Sequence, residues 1–109
     1  MGEFDDEGLE VSQQWVDGAL MIRLTGELDV ASEQVLHSYV SSLRPLSSRL
    51  RLDVSRVSFV DSSGLRALLA ARRAAVEDTG HAVMLVGSTE MLRKLLTMSG
   101  LATAFVFDD

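Results

Sequence analysis

The sequence predicts an α/β fold: one mixed, mainly parallel sheet with an antiparallel edge hairpin and helices mainly on one face. Three observations predict it. Apolar residues recur with the two-residue period of strands and then with the helical period, and the two patterns alternate along the chain. The first two strand patterns are separated only by Asp17-Gly18, a tight antiparallel connection. Each later pair of strand patterns is separated by a helical one, which favours parallel pairing through right-handed crossovers.

The elements follow in order. Residues 1–8 are rich in Asp and Glu and are expected to form a flexible acidic tail, leaving 9–109 as a single domain. Leu9, Val11 and Trp15 alternate with Glu10, Ser12 and Gln14 as a first strand. Leu20, Ile22 and Leu24 alternate with Met21, Arg23 and Thr25 as its hairpin partner. Between Ala31 and Leu43 the residues Val35, Leu36, Tyr39, Val40 and Leu43 fall on one helical stripe. The single proline, Pro45, lies in the connection that follows. Leu50, Leu52 and Val54 restore the strand period. A helix is expected from Ser62 or Ser63 to about Thr79, with Leu65, Leu68, Leu69 and Val76 on one side, Arg66, Arg73 and Glu77 on the other, and Gly80 as its stop. Ala82–Val86 reads as a buried strand. Ser88 is expected to cap a third helix that runs to about Met98, ended by Gly100 with a contact from Leu101. Phe105–Phe107 makes the last strand. The order is β-β-α-β-α-β-α-β. Arg23, Thr25, Arg51 and Asp53 give two strands a polar side, so the second face of the sheet should be partly wet.

Composition narrows the function. Hydrophobic residues make up 47% and charged residues 24% of the 109, the proportions of a globular domain rather than a disordered chain. A formal net charge of −6 argues against nucleic acid and anionic membranes as partners, because both bind clustered Lys and Arg. Cysteine is absent, which removes disulfides and thiolate metal sites. The acidic N-terminal residues do not read as a secretory signal, and no apolar run is long enough to span a bilayer. A cytoplasmic protein is the expectation.

Sites for chemistry are sparse. Neither a phosphate-binding Gly-x-x-x-x-Gly-Lys-Ser/Thr loop nor a dinucleotide Gly-x-Gly-x-x-Gly turn is present. His37 and His81 lack any ligand-type spacing, so neither is expected to be a metal ligand or catalytic base, and no metal, cofactor or small-molecule substrate is expected of the chain. The stretch "FVDSSGL", residues 59–65, puts Ser62 and Ser63 at a strand-to-helix turn, where a hydrolase would keep its nucleophile. That elbow needs glycine two residues before the serine; here Val60 and Asp61 stand there. Two readings of the serines stay open. Ser63 caps a helix that starts at Gly64, leaving Ser62 just outside it. Alternatively, Ser62 is an accessible hydroxyl facing the positive end of a helix dipole, where a phosphate is tolerated locally while it transforms the surface seen by a partner.

The residues "FVDSSGLRALL" resemble the signature of STAS domains, specifically the bacterial anti-sigma factor antagonists. "IRLTGELDVAS", from Ile22 to Ser32, and "MLRKLLTMSGL", from Met91 to Leu101, are similar to two further blocks of that family, and the three occur in the family's order over about residues 9 to 107. The resemblance implies a non-enzymatic antagonist that binds an anti-sigma factor, a serine kinase with a histidine-kinase-like ATPase fold, and so releases a sigma factor. It implies that the kinase phosphorylates the first serine of Asp-Ser-Ser-Gly, Ser62 here, and that a PP2C-type phosphatase reverses the modification. Asp29, Asp61, Ser62, Ser63, Gly64 and Arg66 would form or border the docking surface. Asp29 serves either that surface or the start of its own helix, and Asp61 either docks or restrains its loop. Arg66 touches the partner, steadies the phosphate, or is simply solvated; its position is often small in the family. The resemblance also implies a final helix after the last strand, which these 109 residues do not include. A second function within the family is that of a STAS accessory subunit of a transporter or stress-signalling complex, without sigma-factor control.

Overall fold

Asp17 and Gly18 both take positive φ, 51° and 79°, the twisted two-residue turn that brings two strands back along each other. They join β2 (Leu9–Val16) to β3 (Ala19–Leu28) in a computed structural model that describes residues 3–6 and 8–108. The remaining elements are β1 (Glu3–Asp6), α1 (Glu33–Leu43), β4 (Leu50–Val60), α2 (Ser62–Thr79), β5 (Met84–Val86), α3 (Glu90–Met98) and β6 (Val106–Asp108). The six strands form one sheet in sequence order. β1, β2 and β3 pair antiparallel, and β3 through β6 pair parallel.

The predicted order is therefore present, with one strand added. Glu3–Asp6, read from sequence as part of the acidic tail, pairs with β2 from Glu3 opposite Ser12 to Asp6 opposite Leu9. An outermost strand needs only the backbone ladder of its neighbour, so no apolar alternation marked it. Met1, Gly2 and Glu7 of that tail lie outside the described residues.

Burial follows the two periods. Ile22, Leu24, Leu52 and Leu85 on the central strands are fully buried under Leu36 of α1, Leu68 of α2, and Leu92 and Leu96 of α3. Helices lie mainly on that face. On the other face Arg23 Nε donates to Asp53 Oδ2 at 3.0 Å across the β3–β4 ladder. Burial alone would raise the Asp53 pKa; the Ser55 hydroxyl and amide, together with Arg23, outweigh it and hold the carboxyl below its ordinary value.

Helix ends refine the sequence reading. α1 begins at Glu33, two residues after the expected Ala31. α2 ends at Gly80 in the left-handed conformation, as expected. α3 is capped by Thr89, whose side chain accepts from the Leu92 amide, and not by Ser88, whose hydroxyl instead accepts from Arg93 Nε at 2.9 Å. Its far end closes as predicted: the Leu101 amide donates to the Leu96 carbonyl and the Gly100 amide to Thr97, the paired bonds of a Schellman cap.

Candidate functional site

β3 and β4 run parallel and end together. Their last rungs pair Glu27 with Phe59 and Leu28 with Val60, and the Asp61 amide then donates to the Leu28 carbonyl at 3.1 Å. Beyond this rung each chain turns into a helix. The carboxyl ends of adjacent parallel strands are where open α/β sheets present their binding surfaces.

The turn after β3 is built by Asp29 and Ser32. Ser32 is fully buried. Its hydroxyl donates to the Glu27 carbonyl at 2.6 Å and accepts from the Asp29 amide at 3.0 Å, while its amide donates to Asp29 Oδ1 at 3.0 Å. The Asp29 carboxylate thus accepts hydrogen bonds within its own turn, from the Ser32 amide and hydroxyl. Ser32 was not singled out from the sequence. The available signal was an Asp and a Ser three residues apart before a helical pattern, a spacing suited to reciprocal side-chain-to-backbone bonds.

The turn after β4 is built by Asp61. Its Oδ1 accepts from the Gly64 amide at 3.0 Å, so Asp61 is the cap and Ser62 the first helical residue. This corrects the expectation that Ser63 caps. Ser63 is 8% exposed, and its hydroxyl accepts from Arg66 Nη2 at 2.9 Å. The two serines are thus separated by the turn itself: Ser63 faces inward, and Ser62 is exposed with no hydrogen bond to its hydroxyl among the described residues. Gly64 is where α2 meets β3, since a Cβ there would stand 2.2 Å from the Leu28 carbonyl oxygen.

Arg66 links the two turns. Besides Ser63 it reaches Glu33, the first residue of α1, with Nε–Oε2 3.3 Å and Nη2–Oε1 3.4 Å. Val30, 72% exposed, lies one residue after Asp29, and Phe59 is exposed at the end of β4. The structure thus gathers Asp29, Asp61, Ser62, Ser63, Gly64 and Arg66 at one end of the sheet. His37 on α1 and His81 beyond α2 are exposed and outside this cluster. Among the described residues no group of three or more His, Asp or Glu could hold a metal ion, and no helix is long and apolar enough to cross a membrane.

A family model described as "Mlab, STAS domain" matches residues 11–107. The chain belongs to the STAS domain family. Solved STAS structures overlay on it closely. The anti-sigma factor antagonist SpoIIAA in its unphosphorylated form is 26% identical, with a TM-score of 0.68 over 91% of this chain and 88% of that one. The phosphorylated form of SpoIIAA, a Bacillus cell fate determinant, is 24% identical, with a TM-score of 0.67 over 91% of each chain. A sulfate transporter family protein from Wolinella succinogenes is 21% identical, with a TM-score of 0.71 over 87% of this chain and 80% of that one. The STAS fold therefore occurs in both an antagonist and a transporter family protein, and the fold alone does not distinguish between such roles.

Proposed function

We propose that this STAS domain is a cytoplasmic anti-sigma factor antagonist, switched by phosphorylation of Ser62. The observation that carries the reading is the division of labour at the start of α2. Asp61 caps the helix and Ser63 turns inward, which leaves the Ser62 hydroxyl outside with no structural duty. The likeness to SpoIIAA, known in unphosphorylated and phosphorylated forms, supports it.

In this reading the unmodified end of the sheet docks on an anti-sigma serine kinase and frees a sigma factor. The kinase then turns ATP on the docked serine. Ser62 Oγ attacks the γ-phosphorus, the Oγ–P bond forms as the bond to the β,γ-bridging oxygen breaks, ADP leaves, and the hydroxyl proton passes to a base of the kinase. The new dianion stands close to Asp61 and Asp29 and must be desolvated for the partner to stay. A loss of about 4 kcal/mol weakens binding roughly a thousandfold, enough to release the complex. A PP2C-type phosphatase returns the hydroxyl by hydrolysis. The domain itself supplies binding and not catalysis.

The test is incubation with anti-sigma kinases and ATP, followed by mass spectrometry of the peptides. Phosphate on Ser62, absent in Ser62→Ala, is the expected result. Phosphate on Ser63 alone would reassign the acceptor, and ester or nucleotide turnover by the chain alone would replace the reading with an enzymatic one. The second reading, an accessory subunit of a transporter or stress-signalling assembly, is favoured by the likeness to the sulfate transporter family protein; it predicts no label with any such kinase.

A further inference from the structure

Arg66 stands one helical turn beyond Ser62 in a sequence where both could face the same ligand. Residues four apart on a helix have Cβ atoms about 5–6 Å apart, within easy reach of an arginine. In the unmodified protein its guanidinium has two other partners. One is a single hydroxyl, Ser63 Oγ; the other is the Glu33 carboxylate, met at 3.3 and 3.4 Å, longer than a charge-assisted bond settles at when nothing restrains it. The Arg66 side chain is 60% exposed, so the Glu33 pair is screened and weak. Neither of the two nearby carboxylates is bonded to Arg66: Asp61 accepts from the Gly64 amide and Asp29 from Ser32.

We infer that Arg66 is an internal receptor for the Ser62 phosphate: the phosphate takes the guanidinium from Glu33, and the link between the first turns of α1 and α2 opens. This rests on the proposed modification of Ser62. A phosphoserine carries close to two negative charges and three acceptor oxygens, against one charge on Glu33, and a guanidinium meets it with two parallel N–H bonds. The exchange gives phosphorylation two effects on one surface. It adds the dianion at α2 and strips the counter-ion from Glu33 at α1, so the docking face becomes more acidic at both of its turns.

The test needs no kinase, which separates it from the reading above. Phosphoserine is genetically encoded at position 62 of the full chain, and its second ionisation is followed by phosphorus NMR. The isolated group titrates at about 6. Pairing with a cation favours the dianion, so Arg66→Gln should raise this value by about half a unit. Glu33→Gln, which removes the competitor, should lower it. Capping amides and Asp61 act equally in all three proteins and cancel from the comparison. Matching circular dichroism spectra establish that each variant is folded. Equal titration of parent and Arg66→Gln would overturn the inference, as would a Glu33→Gln value that rises. Failure of every kinase to label Ser62, with the Arg66 effect intact, would remove the proposed function and leave the receptor standing.

Discussion

Gly64 on α2 and Leu28 at the end of β3 approach so closely that a Cβ built on Gly64 would lie 2.2 Å from the Leu28 carbonyl oxygen and 2.7 Å from its Cβ. Glycine within a helix ordinarily costs about 1 kcal/mol relative to alanine, so replacement would be expected to stabilise. Here the sterics oppose it. The nearest obstructing atom is a backbone oxygen, and that carbonyl already accepts from the Asp61 amide, so it cannot swing aside cheaply. Overpacking of this kind costs typically 1–3 kcal/mol. Gly64→Ala should therefore lower the urea midpoint despite the better helix former, with a net loss of stability of up to about 2 kcal/mol. A midpoint that rises would mean that α2 can lift off β3 freely.

Asp61 makes a separable contribution. Its carboxylate satisfies one of the orphan amides at the start of α2. Asp61→Ala should cost about 1 kcal/mol, while Asp61→Asn, an equally good cap that loses only its favourable charge near the dipole, should recover most of it. Equilibrium urea unfolding with an unchanged slope would measure both. Equal loss in the two variants would point to the charge rather than the hydrogen bond.

Much of the element order around this site is legible in the sequence because its boundaries follow local rules. The strand-to-helix step at Val60–Ser62, the stop at Gly80 and the exit at Gly100–Leu101 depend on nearest neighbours in sequence. The choice of Asp61 over Ser63 as cap does not. Both residue types are good caps, and the start of α2 is fixed by the Asp61 amide reaching the Leu28 carbonyl, a contact between residues 33 positions apart. Ser88 gave way to its neighbour Thr89, also a suitable cap, and its hydroxyl accepts from Arg93 instead. The Arg66–Glu33 link joins two helices, and no single-helix spacing announces it. β1 was hidden for another reason: pairing through the backbone ladder requires no apolar alternation in the sequence.

The opposite end of the domain should govern acid sensitivity. Arg44 closes on Asp78 with bonds of 2.8 and 3.0 Å, and the Leu46 amide adds a third at 2.8 Å. Arg44 and then Leu46 hold the Asp78 carboxyl down at about 2, below its ordinary value near 4. A carboxylate depressed on folding contributes stability that is fully present above its unfolded value and is lost as pH falls through the folded one. Stability owed to Asp78 should thus be intact at pH 7 and fade between about pH 4 and pH 2. Asp78→Asn should melt below the parent at pH 7, and the gap should shrink steadily over that interval. A gap that is constant with pH would mean that Asp78 acts through the Leu46 amide and packing alone.

Two exposed apolar side chains at opposite ends of the sheet provide a test of where the partner sits. Val30 is 72% exposed beside the Asp29–Ser32 turn, and Trp15 is 61% exposed near the hairpin turn. Trp15 pairs with Leu20, and eight residue steps along β3 carry the chain from that rung to Leu28, about 26 Å at 3.3 Å per residue. Neither side chain supports the core, so Val30→Asp and Trp15→Ala should both melt close to the parent. A carboxylate placed in a docked interface must be desolvated without a partner, which costs binding whatever the side chain it replaces contributed. If the Ser62 end docks, Val30→Asp should weaken binding to an anti-sigma kinase at least tenfold, a change of about 1.4 kcal/mol, while Trp15→Ala leaves it unchanged. Calorimetric titration of the kinase with each variant reads the difference. The reverse ranking would move the interface to the hairpin end and detach the exposed serine from partner binding.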